Sequence, residues 1–117
     1  MAIIIYGIPN CDSIKKTIEL FNKNNVEFTF HNYKKEGIEK STLKQWCKSV
    51  GWEALLNKKG TTWKKIAHEF DGVVINEKVA IDFMFENNSI IKRPVVVYHN
   101  GIIVGYDEER LGEVEEV

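Results

Sequence analysis

Strand, helix and strand follow one another within the first thirty-three residues, and that order restricts the fold more than anything else in the chain. Ala2-Ile3-Ile4-Ile5-Tyr6 is short, apolar and β-branched, and Gly7 and Pro9 close it, so it reads as a buried strand over about residues 2–6. Ile14, Ile18 and Phe21 recur at i, i+4, i+7, which gives an amphipathic helix over about 12–24, stopped by Asn24-Asn25. Val26 to Tyr33 alternates with period two and puts Val26, Phe28 and Phe30 on one face of a second strand. Two strands joined through a helix in so short a span pair parallel, with a right-handed crossover.

The middle of the chain is helical. Lys34-Lys35-Glu36-Gly37 reads as a charged loop, and Ser41 as the cap of a helix that turns Leu43, Trp46, Cys47 and Val50 inward and stops at Gly51. Trp52, Leu55 and Leu56 give a helical turn, and Asn57-Lys58-Lys59-Gly60 a loop. Thr61 or Thr62 then caps a helix with Trp63, Ile66, Ala67 and Phe70 inward and His68 in solvent. Val73-Val74-Ile75 is compatible with a strand, and a helix over about 76–87 places Val79, Phe83 and Met84 inward. After Asn87-Asn88-Ser89 comes the apolar run Ile90 to Tyr98, with Pro94 near its start, where a strand tolerates it. Asn100-Gly101 is a two-residue hairpin signal, Ile102 to Tyr106 the partner strand, and Asp107 the cap of a short helix around Leu111 and Val114. The sequence βαβ, helical block, ββα predicts an α/β fold: a four-stranded mixed sheet with a helical insertion.

Length and charge narrow the function. At 117 residues the chain is one domain by size and can bury a core without disulfides or metals. A net charge of −1 gives no global electrostatic case for binding nucleic acid. No apolar run has the length of a membrane span, and no export signal stands at the N-terminus, so no membrane association and a cytoplasmic location are expected. His31, His68 and His99 are scattered without ligand spacing, so no metal site is expected. Two cysteines, Cys11 and Cys47, make no disulfide framework.

Cys11 falls in the turn Gly7-Ile8-Pro9-Asn10-Cys11-Asp12-Ser13-Ile14, at or just inside the helix N-terminus. The first N–H groups of a helix have no intrahelical partner, and they and the dipole stabilise a thiolate placed there. Lys15 and Lys16 sit where cations oppose the dipole, yet they favour an ionised thiol, and Lys15 is assigned that tuning role; Asp12 acts against it. The competing interpretation makes Asn10 the helix cap and Cys11 a small filler. Cys47 shares a face with Leu43 and Trp46 and reads as a buried small hydrophobe, the alternative being a resolving thiol for Cys11.

Three blocks in order, Pro9-Asn10-Cys11-Asp12-Ser13, Gly51 to Trp63, and Ile91-Lys92-Arg93-Pro94-Val95, resemble the glutaredoxin-coupled arsenate reductase (ArsC) family. This is a thioredoxin-fold group that also includes the Spx regulators. The resemblance runs over nearly the whole chain and is strongest to the ArsC-like branch described as glutathione-dependent thiol reductases. It implies one ArsC-like domain over 1–117, with thioredoxin-like parts over about 1–33 and 90–117 and the insertion over about 38–88. It makes Cys11 the nucleophile, Pro94 the cis-proline beside it, and Arg93 the anion-binding fork. Asn10 and Ser13 join Arg93 and Pro94 as the substrate-binding set. No bound cofactor is implied; glutathione is the co-substrate, and glutathione or glutaredoxin the partner. Arsenate reductases of the family use two further arginines, and Asn57 and Tyr106 stand in their places. Ile14 stands where Spx-type sensors carry the second cysteine of Cys-x-x-Cys. The leading expectation is therefore a single-cysteine, glutathione-linked thiol–disulfide reductase. The alternatives are an arsenate reductase, or an Spx-like regulator with RNA polymerase as its partner.

Overall fold

The computed structural model describes residues 2–69 and 75–115. In chain order its elements are β1 (Ile4–Gly7), α1 (Asp12–Lys23), β2 (Thr29–Asn32), α2 (Tyr33–Glu36), α3 (Lys40–Val50), α4 (Trp52–Leu55), α5 (Thr61–Glu69), α6 (Glu77–Glu86), a 3-10 turn (Asn88–Ile90), β3 (Val95–Tyr98), β4 (Gly101–Val104) and α7 (Glu108–Gly112). They form two compact units: Met1–Glu36 together with Arg93–Val117, and Gly37–Lys92.

The first unit is the mixed sheet, with strand order β2-β1-β3-β4. β1 and β2 run parallel, as the strand–helix–strand order requires, while β3 is antiparallel to β1 and to β4. Ile3, Ile5, Val96 and Ile103 are nearly solvent-free and share one core with Ile14 and Phe21 of α1 and with Leu111 and Val114. The α1 stripe predicted from spacing is therefore the stripe that covers the sheet. At the chain's end, the Asp107 carboxylate accepts from the Arg110 N–H at 3.1 Å and starts α7 where the sequence predicts.

Strand limits differ from expectation for local reasons. The alternation from Val26 becomes strand only at Thr29, because the Val26 N–H is used on the Phe21 carbonyl (2.8 Å) and Asn25 takes a left-handed φ of 57°. Tyr33 does not end β2 but opens α2. Asn32 Oδ1 accepts from the Lys34 N–H (3.0 Å) and Glu36 Oε2 accepts from the Asn32 N–H (3.1 Å), which winds the expected charged loop into a helical turn. The hairpin loop is His99-Asn100, one residue earlier than predicted: Gly101, at φ 129°, already pairs with Tyr98. Lacking a Cβ, Gly101 takes that φ without strain.

Gly7 is where the sheet hands over to α1. A Cβ there would overlap Ile14 Cδ1 and lie 2.9 Å from Ile14 Cγ1. Ile14 is itself buried in the core, so its methyl has little room to retreat. Gly7→Ala is expected to cost about 1–3 kcal/mol by overpacking, read as a lowered urea midpoint with unchanged m-value.

In the second unit α3 buries Leu43, Trp46 and Cys47 and ends at Gly51, whose φ is 86°. α5 begins at Thr61 itself and buries Trp63 and Ile66, but Ala67 is exposed. Phe70 and Val73-Val74 lie outside the described residues. α6 is capped by Asn76, whose side chain accepts from the Val79 N–H at 3.0 Å. Its buried face is Ala80, Ile81 and Met84 rather than Val79, Phe83 and Met84. Phe83 is half-buried, with its ring edge-on to Trp63 at 6.1 Å. Ile90 and Ile91, read from sequence as the start of a strand, belong to this unit. Ile91 bridges Leu56, and the Asn57 and Lys92 N–H groups reach the Ile90 and Leu55 carbonyls, each at 2.7 Å.

Candidate active site

The register brings two loops to one end of the sheet. β1 delivers Gly7 and the turn that follows it. β3 starts at Val95, directly opposite Tyr6, so Arg93-Pro94 leaves the neighbouring strand at the same end. Arg93–Pro94 is a cis peptide bond. The Pro94 carbonyl accepts from the Gly105 N–H at 2.8 Å, which ties the exit of β4, and Tyr106 after it, to this end as well.

Cys11 is the N-cap residue of α1, with extended dihedrals (φ −113°, ψ 128°). Its carbonyl accepts the first helical bond, from the Lys15 N–H at 3.0 Å, but its thiol makes no capping hydrogen bond. Cys11 thus sits at the start of α1 with its thiol uncommitted to capping, half-buried against the core of the first unit. Asn10, the other candidate cap, instead bends the turn with a left-handed φ of 62°, which asparagine tolerates better than most residues. Thr17, fully buried, donates its hydroxyl to the Ser13 carbonyl at 2.7 Å and fixes the first turn from within.

The two lysines of that turn differ. Both are exposed, but the Lys16 ammonium lies 5.7 Å from the Tyr106 ring centroid. Tyr106 thus meets a cation at the position where an arginine was expected from the family pattern. Asn57 is used locally: its Oδ1 accepts from the Lys59 N–H at 3.2 Å and shapes the turn before α5.

A group that sequence reasoning missed lies at the same end of the sheet. Tyr6 and His31 are register partners on β1 and β2, with rings 4.8 Å apart, and Tyr33 joins them at 6.2 Å from Tyr6 and 6.1 Å from His31. His31 Nδ1 is 3.8 Å from Glu36 Oε2. Burial, reinforced by Tyr6, holds the Tyr33 phenol far above its ordinary range, while the Arg93 guanidinium acts in the opposite sense. Arg93 therefore lies within electrostatic reach of this aromatic group. The signal was available: Tyr6 and His31 occupy the alternate positions of two strands whose other face is the core.

The ArsC family model matches residues 6–114. The chain belongs to the ArsC family. An uncharacterized protein of Haemophilus influenzae is 31% identical over 107 residues, covering 92% of this chain and 93% of its own. The solved structure of the YffB protein superposes with a TM-score of 0.85 at 35% identity, covering 93% of this chain and 95% of that one. The global transcriptional regulator Spx 2 of Lactococcus lactis is 28% identical over 93% of this chain and 83% of its own length. The four-stranded mixed sheet with helices is the thioredoxin-like fold of this family.

Among the described residues no three His, Cys, Asp or Glu side chains gather as a metal site, and no helix is long and apolar enough to cross a membrane. Cys47 is buried on α3, and desolvation, with Glu77 adding to it, pushes its thiol up to about 11. A raised folded-state value means that the unfolded chain gives up this proton first. Stability is thus expected to fall as pH rises from about 9 to about 11, and Cys47→Ala to flatten that slope in denaturant midpoints measured across the window.

Proposed function

We propose that this ArsC-family protein is a single-cysteine, glutathione-linked thiol–disulfide reductase in which Cys11 is the nucleophile. The observation that carries this is the placement of Cys11: a half-buried thiol at the N-cap of α1, without a capping bond, at the sheet end to which the β1–β3 register also brings Arg93 and Pro94. The Cys11 thiolate attacks the glutathionyl sulfur of a glutathione mixed disulfide; a Cys11–glutathione S–S bond forms, the substrate S–S bond breaks, and the departing substrate thiolate takes a proton from solvent. No cysteine stands at i+3, where Ile14 fills the core, so reduced glutathione resolves the mixed disulfide. Its thiolate forms a new S–S bond and releases the Cys11 thiolate. The substrate is reduced by two electrons and glutathione is oxidised. Arg93 supplies a planar fork for a carboxylate of the glutathionyl group, and Asn10 and Ser13 flank the thiol as polar contacts, with Lys15 the neighbouring cation of the first turn.

The test is turnover of a glutathione mixed disulfide, coupled to glutathione reductase and run beside arsenate under the same conditions. Glutathione-dependent turnover of the mixed disulfide, with arsenate reduced at least about tenfold more slowly, is expected, because Asn57 and Tyr106 replace the two further guanidinium forks. Arsenate as the better substrate contradicts it. Similarity to the Lactococcus lactis Spx protein favours a second reading, a regulator that binds RNA polymerase. Retention of the polymerase α subunit on the immobilised protein, with no disulfide turnover, would put that reading first.

A further inference from the structure

The second unit carries a groove built from residues that the proposed chemistry of Cys11 does not use. On α3, Lys40, Lys44 and Lys48 recur at i, i+4, i+8 and are exposed, on the side away from Leu43 and Trp46. Together with one side of α6 they line a groove of about 320 Å³. Ile81, almost fully buried, forms its apolar floor. One helical turn further along α6, Phe85 is 44% exposed, the exposed large hydrophobic side chain among the described residues. Lys40 bonds Asp82 at 3.1 Å, and its ammonium lies 5.0 Å from the Phe85 ring centroid, so one lysine is held and marks the rim.

The remaining charge is unbalanced. With Asp82 engaged by Lys40, the groove presents Lys44, Lys48 and Lys78 against Glu77 alone. The imbalance extends along the sequence: Gly37 to Lys92 holds nine lysines and seven carboxylates, a net of +2 in a chain whose total is −1. A cationic mouth over an apolar floor, with an exposed aromatic at the rim, matches the way a groove between two helices receives an amphipathic helix. The apolar floor at Ile81 and the exposed Phe85 ring have no use for a phosphodiester backbone, whereas apolar side chains of a peptide fit them.

We propose that the α3–α6 groove docks an acidic amphipathic helical segment of a protein partner. Its carboxylates meet Lys44, Lys48 and Lys78, and its apolar side chains meet Ile81 and Phe85. This recognition is separate from the chemistry at Cys11 and holds whichever substrate that thiol attacks.

The probe is a fluorescein-labelled synthetic peptide with Leu and Phe at three- and four-residue spacing on a background of Glu, followed by fluorescence anisotropy against the full chain. Saturable binding that weakens with added salt is expected. The double variant Lys44→Glu/Lys48→Glu should lose at least about tenfold in affinity. Phe85→Ser should lose about tenfold while keeping the salt dependence. All these positions are exposed, and circular dichroism checks that the variants fold. Cys11→Ser should bind the peptide as the parent does, which separates this test from that of the reductase. The proposal is overturned if the parent does not bind, if the charge-reversed variant binds equally, if a peptide with Gln for Glu binds as well, or if an oligo-dT strand binds more tightly than the peptide.

Discussion

A Cys11→Ser protein is expected to reduce glutathione mixed disulfides at less than about a thousandth of the parent rate, with its fold intact. Serine is close to cysteine in size, but its hydroxyl is not ionised at neutral pH and forms no disulfide, so the first step has no nucleophile. The substitution is unusually clean because of where Cys11 sits. As the N-cap of α1 it has a thiol that caps nothing, and serine is among the favoured N-cap residues. Stability should therefore hold or rise by up to about 1 kcal/mol. Loss of turnover with an unchanged or raised melting temperature is a chemical loss. Turnover retained in Cys11→Ser contradicts the assignment.

The largest effect on stability is expected from Phe21→Ala. Phe21 is solvent-free, its ring 5.9 Å from that of Phe28, and it lies in the core formed by α1, the sheet and the residues around α7. Truncating a buried phenylalanine costs about 3–5 kcal/mol, a large share of the roughly 5–15 kcal/mol that holds a typical domain. α1 carries Cys11 at its first turn, so activity should fall with the folded fraction as denaturant or temperature rises. A loss below about 1 kcal/mol would mean that α1 does not bear on the core as described.

Particular residues show how much of this was legible in the sequence. Ile14, Ile18 and Phe21 gave α1 to within a residue, because a period of 3.6 is hard to imitate by chance and Asn24-Asn25 ends it cleanly. Ile5 and Val96 were readable as strand residues for the same kind of reason. Short polar side chains hid the rest. Asn32 and Glu36 wind a charged stretch into α2 through side-chain bonds that no hydrophobic pattern records. The run from Ile90 to Tyr98 is continuous in hydropathy, yet the chain passes from one unit to the other at Arg93, because Ile91 is held by Leu56 and Val95 by Tyr6.

At the site the division is similar. Cys11 was legible from the strand–turn–helix pattern, and Arg93 and Pro94 entered through the family resemblance. The aromatic group was not found, because Tyr6 is distant in sequence from His31 and Tyr33 and meets them only through the parallel register of β1 and β2. Lys16 could not be told from Lys15 by position alone; its approach to Tyr106 separates the two.

The most direct test of the central claim is a peptide mass spectrum of the folded protein after incubation with oxidised glutathione, and again after reduced glutathione is added. A single glutathione adduct on Cys11, cleared by reduced glutathione, with Cys47 unmodified throughout, is the expected result. An unmodified Cys11, an adduct on Cys47 instead, or a Cys11–Cys47 disulfide in place of the adduct would contradict a glutathione-resolved, single-cysteine mechanism.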